Sequence, residues 1–68
     1  KQILDQVEKV LSTMDENRRT AIRLYLQGMT SFEIADVRGW SEPKARNLLY
    51  RGLKDLRAGL KSAGIDYS

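Results

Sequence analysis

The chain has 68 residues, a net charge of +3, and neither Cys nor His. The missing Cys and His exclude a disulfide framework, the usual zinc site and any nucleophile–imidazole pair. A chain of this length buries only about 60% of its unfolded surface, so one small domain spanning residues 1–68 with a modest core is expected. No apolar run approaches the roughly 18 residues of a membrane span, and no signal peptide is visible. The first residue is Lys1 rather than Met, which suggests a piece of a longer protein.

The charge is graded along the chain. Residues 1–17 sum to −2, residues 18–40 to +2 and residues 41–68 to +3. Such a gradient suggests an anionic partner at the basic end, or two partners at different ends. A solvated surface with chance clustering is the plainer alternative.

The periodicity is helical throughout. Ile3, Leu4, Val7, Val10, Leu11 and Met14 recur at steps of three and four, which predicts an amphipathic helix near residues 2–13. Thr13 to Glu16 reads as a capping box, with Asp15 as a rival N-cap. A second helix follows near residues 16–27, with Ala21, Ile22, Tyr25 and Leu26 as its inward candidates and Gly28 as its stop. Thr30-Ser31-Phe32-Glu33 is a further capping box, opening a short helix near 31–37 that Gly39 ends. Ser41 is then an N-cap, Glu42 suits the positive end of a helix dipole, and Pro43 fits a first turn that needs no donor. The last helix is predicted near 42–62, with Gly64 as its stop. Gly52 and Gly59 inside it weaken it intrinsically by up to about 1 kcal/mol each. No strand-like alternation or repeat is present.

The third and fourth helices are joined by about three residues, Arg38 to Trp40, too few for an antiparallel pair. They must cross steeply, as in a helix-turn-helix. Ala35 is small where the axes would approach. Gly39 suits a tight turn with positive φ. Ile34, Trp40, Ala45 and Leu48 are apolar where the helices would face each other. The fold expected is all-α, a small four-helix domain containing a helix-turn-helix.

On a wheel of about 100° per residue, Ala45, Leu48, Leu49, Gly52, Leu53, Leu56 and Leu60 share one side of the last helix. Pro43, Lys44, Asn47, Tyr50, Arg51 and Lys54 lie opposite, with Arg46 on the flank. The leucine side is core, and so is Trp40. The other side offers cations for phosphates, Arg and Asn for base edges, and an aromatic for stacking or for thymine methyls. Ser41 and Pro43 start the helix abruptly, so its first turns can enter a major groove, and its free amides can meet a phosphate. The candidate DNA-binding residues are Ser41, Pro43, Lys44, Arg46, Asn47, Tyr50, Arg51 and Lys54. Tyr50 can also simply cover a helix edge, and Arg18 and Arg19 can be solvated or paired with nearby acids. Asp15, Glu16, Glu33 and Asp36 are the acids available for acid–base work. Glu33 has a capping role and no metal partner is in sight, so the chain does not read as an enzyme, and no metal or cofactor is expected.

The stretch "RRTAIRLYLQGMTSFEIADVRGWSEPKARNLLYRGLKDLRAGL" resembles region 4 of the sigma-70 family of bacterial RNA polymerase initiation factors, of the extracytoplasmic-function type. The resemblance covers about residues 13–61 and is strongest in "SEPKARNLLYRGLKDLR". It implies a winged-helix-like or sigma region 4 fold. It also implies a domain that reads the −35 promoter element in double-stranded DNA. The implied partners are the flap of the RNA polymerase β subunit and, in many members, an anti-sigma factor. The implied location is the bacterial cytoplasm, at the nucleoid, with no membrane attachment. Carried over by position, its base and phosphate contacts fall on Pro43, Lys44, Arg46, Asn47, Tyr50 and Arg51. Three positions depart from the pattern: Asp15 replaces a frequent Pro, Arg38 a usual Leu and Leu48 a frequent basic residue. The Arg38 side chain is expected to snorkel outward. A LuxR-type regulator domain, also four helices, is the alternative within DNA binding. A module bound only by an anti-sigma factor or a polymerase subunit is the alternative outside it.

Overall fold

The structure, a computed structural model, describes residues 2–64, with side chains from Leu4 onward. Four helices follow in order: α1 (Gln2–Ser12), α2 (Glu16–Leu26), α3 (Ser31–Arg38) and α4 (Glu42–Ser62). The ends match the expected ones to within a residue, and no strand occurs among the described residues. No helix among them is long and apolar enough to cross a membrane.

Local chemistry sets these ends. At α2 the two possible caps resolve in favour of Asp15, whose carboxylate accepts from the Asn17 amide at 3.2 Å. At α3 the capping box is complete. Thr30 Oγ1 accepts from the Glu33 amide at 3.2 Å, and Glu33 Oε1 accepts from the Thr30 amide at 2.8 Å. At α4 Ser41 Oγ accepts from the Lys44 amide at 3.2 Å. Each bond satisfies a donor that a helix start leaves without a partner.

The turn between α3 and α4 is a Schellman closure. The Trp40 amide donates to Ala35 O at 2.9 Å and the Gly39 amide to Asp36 O at 3.4 Å. This geometry requires φ of +69° at Gly39, which an L side chain rarely adopts. The chain thereby turns between Arg38 and Glu42, and α4 packs against α3.

The core lies around α4, which packs on all three other helices. Leu11, Met14, Ala21, Ile22, Ile34, Ala35, Ala45, Leu49, Leu56 and Leu60 are buried, with Val7, Val10, Leu24, Met29, Trp40, Leu48 and Leu53 packed around them. Ala35 and Ala45 are both buried, and α3 packs against α4.

Several expectations need correction. Tyr25 and Leu26 do not point inward; they are exposed, and half-buried Leu24 takes the inward place beside Ala21 and Ile22. Leu4, on the expected apolar face of α1, is also exposed. Ile3, assigned to the same face, lies outside the described side chains. Gly52 and Gly59 are not merely weak points of α4. A Cβ at Gly52 would stand 2.8 Å from Ile22 Cγ1, and one at Gly59 would stand 2.6 Å from Val10 Cγ2. At the two glycines Ile22 of α2 and Val10 of α1 occupy the space a side chain would need, so helix propensity is exchanged for packing.

Candidate nucleic-acid interface

The outward side of α4 follows directly from its inward side. Ala45, Leu49, Gly52, Leu56 and Leu60 are buried, so the positions half a turn away must face solvent. Ser41, Pro43, Lys44, Arg46, Asn47, Tyr50, Arg51 and Lys54 are all exposed, Tyr50 at 74%. The structure thus brings all eight expected residues onto the N-terminal two-thirds of one helix and its cap.

They fall into two groups. Lys44, Asn47 and Arg51 line an open cleft of about 720 Å³ together with Leu48 and, from the start of α2, Asp15 and Arg18. Arg18 is fixed there by Asp55, whose Oδ2 accepts from its guanidinium at 2.8 Å. Half-buried Leu48 forms the cleft's apolar patch, where a basic side chain would have added a cation. Arg46 lies outside this cleft and forms an i,i+4 ion pair with Glu42 at 3.1 Å. Ser41, Pro43, Tyr50 and Lys54 are likewise outside the cleft lining.

Trp40 is not simply core. It is half-buried, and both the Arg38 guanidinium and the Lys44 ammonium lie 5.6 Å from its ring centre. Cation–π attraction holds Lys44 near the head of α4. It also explains Arg38: that side chain is exposed, as expected, and covers the indole instead of entering the core.

Two features went unread in the sequence. Arg19 reaches back to the end of α1, donating to the carbonyls of Leu11, Ser12 and Met14 at 3.4, 3.5 and 3.4 Å. A cation there suits the negative end of a helix. Glu42, read only as a favourable first-turn acid, accepts from Ser31 Oγ at 2.8 Å while it pairs with Arg46. Its Glu-x-x-x-Arg spacing signals the second contact; nothing local signals the first.

A carboxylate with displaced acidity lies away from α4. Glu8 is held below the ordinary glutamate value of 4.5 by its hydrogen bonds from Arg23, at 2.9 and 3.3 Å, and by that residue's charge. Among the described residues no cluster of side chains could hold a metal ion.

A helix-turn-helix whose second helix presents cations, an amide and an aromatic to solvent belongs to the class of DNA-binding domains. A family model described as "Sigma-70, region 4" matches residues 4–56. The chain therefore belongs to that family, the DNA-binding, non-catalytic region of a sigma factor that acts in transcription initiation with promoter DNA and RNA polymerase. No curated protein and no solved structure matches it.

Proposed function

We propose that residues 1–68 form one DNA-binding domain of an extracytoplasmic-function type sigma factor, that α4 reads the −35 element in the major groove, and that the domain docks on the β-subunit flap of RNA polymerase. The observation that carries the DNA reading is the exposed row Lys44, Arg46, Asn47, Tyr50, Arg51 and Lys54 on the second helix of the turn. A major groove about 12 Å wide admits one helix. The first turns enter most deeply, which gives Arg46 and Asn47 to base edges and Lys54, two turns on, to the phosphate backbone.

Arg and Asn suit that task because each can form paired hydrogen bonds, Arg to guanine and Asn to adenine. Lys44, near the amides at the head of α4, suits a phosphate, and Arg51, two turns further along the helix, can pair with a guanine as Arg46 can. The setting is the bacterial cytoplasm, at the nucleoid.

Docking on protein draws on other helices. Leu4 on α1, Tyr25 and Leu26 on α2, and Phe32 and Val37 on α3 are exposed apolar side chains. Residues 1–17 carry the negative part of the charge gradient. An anti-sigma factor is a further partner for the same apolar positions. The family match lends nothing to the LuxR-type alternative.

The test is selection of random duplex DNA by the chain, followed by titration of the enriched site at several salt concentrations. One sequence should enrich, and log K should fall with log salt by about 0.9 per phosphate contacted. Absence of any enriched sequence, together with binding indifferent to salt, would contradict the reading.

A further inference from the structure

A glutamate that opens a helix is usually explained by the helix dipole alone, and such a side chain stays in solvent. Glu42 behaves differently. Its side chain is only 19% exposed, and both its oxygens are engaged. Oε2 accepts from Ser31 Oγ at 2.8 Å, and Oε1 stands 3.1 Å from Arg46 Nη1. Ser31 is the first residue of α3, whose start is locked by the two reciprocal bonds of the Thr30–Glu33 box. A continuous chain therefore runs from a rigid helix start, through Glu42, to an arginine whose own side chain is 64% exposed.

We infer that Glu42 is a positioning residue: anchored by Ser31, it holds the Arg46 guanidinium in the orientation from which it reads a base. This rests on the major-groove reading proposed above. A guanidinium has five donors in a planar fork, and the contact with Glu42 uses one edge of it. The rest of the fork is left for a base. An arginine already held in place loses less freedom on binding, and a fork aimed in advance discriminates better than one that is swept around. The same carboxylate repels DNA phosphates. Glu42 therefore raises selectivity without raising general affinity, and this pairing of effects separates positioning from mere support of the fold. A structural defect would lower every affinity together.

The experiment uses the whole chain as wild type, Glu42→Gln, Ser31→Ala, Arg46→Ala and the double variant Glu42→Gln/Arg46→Ala. Affinities are measured for the selected duplex, for its single-base variants and for an unrelated duplex, with thermal unfolding as the folding control. In parallel, the heteronuclear NOE of the Arg46 Nε–Hε group is recorded without DNA. Glu42→Gln should lower selectivity at the base pair read by Arg46 by about threefold to fivefold, the upper range for an exposed ion pair. Its affinity for the unrelated duplex should not fall, since a like charge has left. Ser31→Ala should shift selectivity the same way by about twofold, and it carries the test if Glu42→Gln does not fold. On the Arg46→Ala background, Glu42→Gln should change selectivity no further. The Arg46 NOE should drop in Glu42→Gln and in Ser31→Ala.

An unchanged NOE in Glu42→Gln, or an equal loss of selectivity with and without Arg46, would overturn the inference. If the wild-type chain itself shows no base preference, the major-groove reading fails. The NOE then still decides whether Glu42 holds Arg46.

Discussion

The two sides of α4 obey different rules. The inner side is dictated by space. Gly52 lacks a side chain where Ile22 of α2 comes close and Gly59 where Val10 of α1 does, and Ala45, Leu49, Leu56 and Leu60 are buried beside them. The outer side is dictated by chemistry: its long cationic and amide side chains are exposed, and Arg46 and Lys44 are held from beside by Glu42 and Trp40. Shape errors on the inner side should cost stability, whereas under the proposed function charge and donor errors on the outer side should cost binding. On the proposed reading, one helix separates folding from recognition, which lets the outer residues vary without unfolding a small domain.

The separation is tested most severely from the inside. Leu49→Ala or Leu56→Ala should cost about 2–5 kcal/mol in chemical denaturation, a large share of a small domain's stability. The fraction that remains folded should keep the wild-type ranking of duplexes. A changed ranking would show that the two sides are coupled.

Gly52→Ala sets propensity against space. Alanine improves an isolated helix by about 1 kcal/mol. Here its Cβ would meet Ile22 at 2.8 and 3.0 Å, so overpacking should win and net stability should fall by about 1–2 kcal/mol. A more stable variant would mean that α2 yields easily.

From the outside, Arg46→Ala and Asn47→Ala should each relax preference at one or two base pairs by about 1–3 kcal/mol, measured over single-base variants of the selected site. Thermal stability should move little, because both side chains are exposed. Non-specific affinity should fall less for Asn47→Ala, which removes no charge. If both variants keep the wild-type ranking, these residues only position the helix.

Lys54→Ala should weaken all duplexes about equally and flatten the salt slope by about one unit. A selective effect would place Lys54 among the base-reading residues.

The smallest effect lies away from α4. The Glu8–Arg23 pair lowers the Glu8 pKa in the folded chain. Its contribution is therefore fully present above the ordinary glutamate range and is lost as pH falls through the depressed value. Glu8→Gln should flatten the acid limb of stability slightly and leave DNA binding at neutral pH unchanged. A steep change in either would give this exposed pair a role beyond its geometry.

How far the residues alone foretell this arrangement depends on range. Helix ends were legible because their causes are local: Thr30 with Glu33, Ser41 before Pro43, and Gly39 in its turn all act within a few positions. The outer side of α4 was legible because it is the complement of a leucine stripe. Choices that depend on distant neighbours were not. Periodicity marks Leu24, Tyr25 and Leu26 alike as apolar, and only the packing partners of α2 select the first. The glycines looked like defects because Ile22 and Val10 are 30 and 49 positions away from them. The Arg18–Asp55 pair and the Ser31–Glu42 bond, 37 and 11 positions apart, are equally invisible to local patterns.

The most direct test of the central claim is titration of the isotope-labelled chain with the selected duplex, following every backbone amide and the Trp40 indole. The largest shifts should fall in residues 41–54 and in Trp40, which Lys44 covers, with α1 left nearly unmoved. Shifts concentrated in α1 and around Leu4, Tyr25 and Leu26, with α4 silent, would contradict that claim.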